Sequence, residues 1–164
     1  MTVFKTSLLA TALLAATAIA PAYAANNDTF DVTITIEKSC DVTATQNVAF
    51  ADSVSVADTV EAQGSVSVKC TNGADYNVAL NGGATDDVAA RQMSNGTDTI
   101  AYQLYQDAAL GDVWGETTGT DTVEGTGTGF TGNDFDHVVY AQATLTGDET
   151  AGDYSDTITA TVSF

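Results

Sequence analysis

His137 is the only histidine in the chain, so a Ser–His–Asp or Cys–His nucleophile would have to be assembled around it. It opens the run "HVVYAQATL" (137–145) next to Asp136, and no G-x-S-x-G elbow occurs anywhere. It therefore reads as a surface or edge histidine rather than a base. Asp86-Asp87 and Asp134/Asp136 are carboxylate pairs of the kind a glycosidase uses. With 22 acidic residues in 164, however, close pairs arise by composition alone. "GNDFD" (132–136) offers oxygen ligands for Ca²⁺ but lacks the full spacing and the closing Glu of an EF-hand loop. "GTGTG" (125–129) is followed by neither a helix pattern nor a lysine, which argues against a phosphate cradle. Trp114, Tyr102 and Tyr105 have the chemistry of a sugar platform, although core and hairpin positions suit them better. The sequence thus predicts no catalytic residues, no metal site and no cofactor.

The first 24 residues explain where the remainder works. One basic residue, Lys5, precedes an apolar run from Leu8 to Ala20, and Ala22-Tyr23-Ala24 forms an A-x-A cleavage pattern. The run is shorter than a spanning helix needs, so residues 1–24 read as a signal peptide and direct membrane insertion is not expected. About 140 residues remain, enough for one domain with its own core. Lys38, Lys69 and Arg91 there face 22 acidic residues, a net charge of −19. Such a surface repels nucleic acid and anionic lipid, and copies of it repel one another, so association should strengthen with salt. Cys40 and Cys70 make an even count in an exported chain, which argues for one disulfide. The other use of two thiols, a metal site, would want histidines or further cysteines nearby.

The elements that must carry these residues all read as β. "TFDVTITIEKSC" (29–40) places Phe30, Val32, Ile34 and Ile36 on one face. "DVTATQNVAF" (41–50), "SVSVKC" (65–70), "YNVAL" (76–80), "TIAYQLYQD" (99–107), "HVVYAQATL" and "YSDTITATVSF" (154–164) show the same period of two. Alternation of this kind marks half-buried strands, and the Val, Ile, Thr and Tyr content agrees. Gly/Asn turn signals separate the runs, at "TNGAD" (71–75), "SNG" (94–96) and "TGD" (146–148) among others. "DDVAARQM" (86–93) is long enough only for a turn of helix, and the Gly/Thr-rich stretch 111–136 is expected to be an exposed loop or hairpin excursion. The pattern predicts an all-β, immunoglobulin-like antiparallel sandwich.

Four segments in order, "SCDVTATQNVAF", "GSVSVKCTNGADYNVALNGG", "RQMSNGTDTIAYQLYQDAALGDVWG" and "GDYSDTITATVSF", resemble the spore coat protein U domain family, which includes the subunits of archaic chaperone–usher pili. The resemblance spans nearly all of the chain after residue 24. It implies a sandwich that lacks its final strand, filled first by a periplasmic chaperone and then by the N-terminal extension of the next subunit at an outer-membrane usher. By position, residues 25–37 are that extension, with Phe30, Val32, Ile34 and Ile36 as the inserted side chains, and 38–164 form the pilin domain. Ile158, Ala160, Val162 and Phe164, with the terminal carboxylate, would face the chaperone and line the acceptor groove. Partners implied are neighbouring copies or related pilins, chaperone and usher, on a route through the periplasm to a cell-surface pilus serving adhesion and biofilm formation. Leu110 stands where relatives often carry a basic residue. The alternatives are a secreted coat protein of the same fold and a self-complemented module that binds sugar or Ca²⁺, its first strand pairing within its own chain.

Overall fold

The computed structural model describes residues 26–51, 57–131 and 135–164. The proposed signal peptide, residue 25 and most of "GNDFD" lie outside them. The chain divides into two units, Met1–Ile34 and Thr35–Phe164. In the first, residues 26–34 join no strand, and Phe30, Val32 and Ile34 are 87%, 86% and 85% exposed.

The second unit is a sandwich of eight strands: β1 (Cys40–Gln46), β2 (Asp58–Cys70), β3 (Asp75–Leu80), β4 (Gln92–Ser94), β5 (Thr99–Tyr105), β6 (Val123–Thr126), β7 (Phe135–Leu145) and β8 (Ala160–Ser163). They form a five-stranded sheet, β1-β2-β7-β5-β4, and a three-stranded sheet, β6-β3-β8, with every pairing antiparallel. Single 3-10 turns at Gly83–Thr85 and Val88–Ala90 are the only helical segments among the described residues. Period-two alternation decides the layering, because one face of each strand must leave water. Val66, Val68 and Cys70 of β2, Tyr76, Val78 and Leu80 of β3, and Val139 and Ala141 of β7 pack into one buried cluster with Leu104 and Trp114.

Three segments depart from the sequence reading. The 41–50 run pairs only as far as Gln46, where the ladder slips between Ala44 and Gln46, and Val48 and Phe50 continue outside it. Gly64 allows this: a Cβ there would lie 2.8 Å from both Gln46 O and Val48 Cγ2, so only glycine lets the departing chain cross β2. The 154–164 run is not one strand. Ser155 bridges to Ser94 in the larger sheet, whereas Ala160–Ser163 pairs with β3 in the smaller one. Asn81 covers the changeover, its Oδ1 accepting from Thr159 N at 2.8 Å. The 111–136 stretch is not simply an exposed loop: it holds β6, the buried Thr122 and fully buried Trp114, whose indole donates to Val78 O at 2.8 Å. Leu110 adopts a left-handed φ of 57° in a turn where Asp107 accepts from the amides of Ala109, Gly111 and Asp112.

Cys40 and Cys70 are disulfide-bonded and are the first register pair of β1 and β2. The bond closes a loop with a sequence separation of 30, worth about 3–4 kcal/mol in the chain-entropy account. Reduction, or Cys40→Ser with Cys70→Ser, is expected to lower the urea midpoint accordingly; an unchanged midpoint would show that β1 is held by its ladder alone.

Candidate functional site

β1 pairs only with β2, and β8 only with β3, so each has one edge without a strand partner among the described residues. These two edges lie on opposite sheets and border a cleft of about 1330 Å³. Its floor is apolar: Val66 of β2, Ile100, Tyr102 and Leu104 of β5, and Val139, Ala143 and Leu145 of β7. One wall is Val42, Ala44 and the crossing segment up to residue 51; the other is residues 149–158 and Ala160. Small-molecule pockets run to roughly 300–1,000 Å³, so this space is on the scale of a chain segment.

Two of the four C-terminal residues singled out from the sequence, Ile158 and Ala160, line the cleft directly. Val162 packs with them against the core without lining the cleft, and Phe164 is 55% exposed. Phe30, Val32, Ile34 and Ile36 keep their alternation with no strand pairing, Ile36 being 70% exposed. Residues 26–39 join no strand.

The cleft's polar end was not legible from the sequence. Tyr102 donates to Asp156 Oδ2 at 2.6 Å, and Asp156 Oδ1 accepts from Ala84 N at 3.0 Å and Thr157 N at 2.7 Å. Burial pushes the Tyr102 phenol up, and the hydrogen bond and charge of Asp156 add to this, so it stays a donor. Gly83, at φ 66°, leaves room for that carboxylate; a Cβ would collide with it. Behind the cleft, Arg91 is 1% exposed and has carbonyls rather than an acid as partners. Its Nε donates to Asn81 O at 2.9 Å, and Nη2 to Leu80 O, Asn81 O and Trp114 O, each at 2.8 Å. Nη1 donates to Gln103 Oε1 at 2.6 Å. Burial lowers the guanidinium, while Tyr102, Glu116, Asp121 and Asp156 act the other way. Arg91 thus ties β3 of one sheet to β5 of the other.

The chemistry raised by the sequence dissolves into architecture. His137 is not a surface histidine but half-buried, edge-on to Trp114 and Tyr76, with Nε2 3.0 Å from the Tyr76 hydroxyl. As the third residue of a strand whose same face continues to the buried Val139 and Ala141, it had no other face to take. Burial lowers its pKa, opposed by Asp136. The unfolded chain, near 6.5, therefore takes the proton first. Stability should be complete above about pH 6.5 and fall as the pH drops from there toward the folded value. His137→Gln should remove that component; equal losses between pH 7.5 and 5.5 for both proteins in urea titrations would refute it. Asp86 ends one 3-10 turn at φ 53°, and Asp87 caps the next by accepting from Ala89 N at 2.8 Å. Trp114 is core and Tyr102 lines the cleft, so no sugar platform forms from them with Tyr105. Among the described residues no group of three or more His, Cys, Asp or Glu could hold a metal, and no helix is long and apolar enough to cross a membrane.

A comparison with protein families matches residues 26–161 to the Spore Coat Protein U domain. The chain belongs to that family. This Spore Coat Protein U domain is similar in fold to a chain in the crystal structure of the CsuC–CsuE chaperone–tip adhesion subunit pre-assembly complex, from the archaic chaperone–usher Csu pili of Acinetobacter baumannii. The TM-score is 0.54 and the identity 23%, over 79% of this chain and 41% of that one. The chain thus spans less than half the length of that relative, and the likeness carries the all-β fold. No curated protein sequence matches the chain.

Proposed function

We propose that this Spore Coat Protein U domain is a structural pilin that polymerises by donor-strand exchange into a chaperone–usher surface fibre. The observation that carries the reading is a pair of complementary defects. Four alternating apolar side chains are 70–87% exposed, and two of the sandwich's edge strands, β1 and β8, border an apolar cleft. Strand addition satisfies both at once: the backbone bonds to the open edges while alternate side chains fill the cleft. Burying Phe30, Val32, Ile34 and Ile36 would contribute roughly 6–12 kcal/mol gross, at about 1.5–3 each. That rivals the net stability of a whole domain. A chain of copies would collect it at every joint.

In this reading a periplasmic chaperone occupies the cleft first, and the extension of the following subunit replaces it at the usher. The disulfide fits an exported protein on that route, and adhesion and biofilm formation belong to the fibre as a whole. The test is to express residues 25–164 and 38–164, each alone and with a chaperone of this class. The longer chain should polymerise; the shorter should form no polymer yet still yield a soluble chaperone complex. A shorter chain that folds alone, stays monomeric and ignores the chaperone would overturn the proposal.

A further inference from the structure

The cleft uses only one face of the larger sheet. Ile100, Tyr102 and Leu104 of β5 and Val139, Ala143 and Leu145 of β7 line it, which turns the alternate residues of both strands outward. Register sets those outward residues in rows. Val113, Tyr105, Tyr140 and Gln63 lie side by side, each opposite the next. The neighbouring row is Gln103, Gln142 and Glu61, and beyond it come Gln92, Ala101, Thr144 and Thr59. Although the chain after residue 24 carries a net charge of −19, Glu61 is the only charged residue in these three rows.

Two features distinguish this face from plain surface. Tyr105 and Tyr140 are directly opposed across β5 and β7 and are both half-buried, and neither hydroxyl has a hydrogen-bond partner among the described residues. Beside them a groove of about 340 Å³ is bounded by Ala90, Gln92, Tyr105, Val113, Gln142 and Thr144, within the size range of small-molecule pockets. The Gln103 amide is engaged at both ends and fixes the groove wall: Oε1 accepts from Arg91 Nη1 and Leu104 N, and Nε2 donates to Val88 O. Gln142 keeps spare capacity. Its Nε2 reaches Glu61 Oε1 only at 3.4 Å, and its Oε1 accepts from no group among the described residues.

We propose that this face binds a neutral glycan, its rings lying on Tyr105 and Tyr140 and its hydroxyls bonded by Gln142, Thr144 and the two phenols. The chemistry of the face selects that class. Amides and hydroxyls donate and accept without charge, so a ligand rich in hydroxyls can satisfy them. An anionic ligand would be repelled by the surface as a whole, and a cationic one would meet a single carboxylate, Glu61. An apolar partner would strand the same amides and hydroxyls away from water. Tyrosine offers an apolar ring face with a polar tip, which matches the C–H face and hydroxyl rim of a pyranose ring. Strand exchange is neither required nor obstructed, since a donated segment would fill the opposite face of the sheet. Each copy in a polymer would carry one such site, so weak single sites would add up to avidity along a fibre.

Calorimetric titration of the full mature chain with maltohexaose, cellohexaose and a chitin hexamer tests this, with a galacturonic acid hexamer as the anionic control. At least one neutral oligomer should bind at millimolar concentration, and the acidic one should not. Tyr105→Ala with Tyr140→Ala should weaken that binding by about tenfold or more. Gln142→Leu, which keeps the side-chain volume and should leave the urea midpoint near wild type, should weaken it by about threefold or more. Absence of binding by every neutral oligomer, equal binding of the acidic one, or neutral binding that Gln142→Leu leaves unchanged would overturn the site. Variants that leave glycan binding intact but disperse side-by-side bundles of polymer in electron micrographs would also overturn it, and would assign the face to a second copy.

Discussion

Ile34→Asp is expected to abolish polymerisation while leaving the isolated subunit as stable as before. Ile34 is 85% exposed and joins no strand, so its replacement removes no packing from the subunit. In the polymer the same side chain would lie among Ile100, Leu104, Val139 and the other apolar groups that line the cleft. Aspartate there forfeits about 1.5–3 kcal/mol of apolar burial and brings a carboxylate into a site with no cation to receive it. Several kcal/mol at every joint corresponds to a fall of a hundredfold or more in each association step. Size-exclusion chromatography and electron microscopy should show monomer only, with the urea midpoint of the isolated subunit unchanged. Polymers formed by Ile34→Asp at the wild-type rate would exclude the inserted-strand role; a shifted midpoint would show that Ile34 packs within its own chain.

The second large effect is expected in the subunit itself. Arg91→Met removes the guanidinium donors from Leu80 O, Asn81 O and Trp114 O in the interior and leaves Gln103 Oε1 with the Leu104 amide alone. Asn81 and Leu80 close β3, and Gln103 belongs to β5, so the bonds lost are those that tie the two sheets beside the cleft. Stranded buried acceptors cost about 1–3 kcal/mol each, partly relieved by water entry, so a loss of about 3–5 kcal/mol is expected. For a domain of this size that is roughly 10–20 °C in melting temperature. Arg91→Lys should recover only part of it, because an ammonium cannot reproduce the planar fork that meets three carbonyls and an amide. A Lys variant as stable as wild type would mean that charge, not the fork, is what the site requires.

Much of this molecule was legible in period-two alternation, because a strand with one face on a core leaves that trace in any sequence. Val66, Val68, Tyr76, Val78, Val139 and Ala141 were read inward from their spacing and are buried. Cys40 and Cys70 were paired from their number and the export signal, and the bond is present. Where backbone geometry rather than burial decides, the pattern misled. The 154–164 segment alternates throughout, yet it changes sheets after Ser155, because alternation records which side faces the core and not which neighbour supplies the hydrogen bonds. The run to Phe50 alternates beyond its ladder for the same reason, since Gly64 lets it cross β2 while Val48 and Phe50 still pack on the core.

Arg91 shows the other kind of limit. In the sequence it is one cation among few; its burial follows from carbonyls that converge from residues 80, 81 and 114, brought together only by folding. His137 likewise became a half-buried neighbour of Trp114 and Tyr76 through cross-sheet packing that no local spacing encodes. The sequence by itself determined that the chain is β throughout, is cross-linked once and carries an alternating apolar segment ahead of that cross-link, since each is a local property of residue type and order. Only the tertiary structure decided that β1 and β8 end as unpaired edges around an apolar cleft, because which edges remain open depends on how all the strands are shared between two sheets.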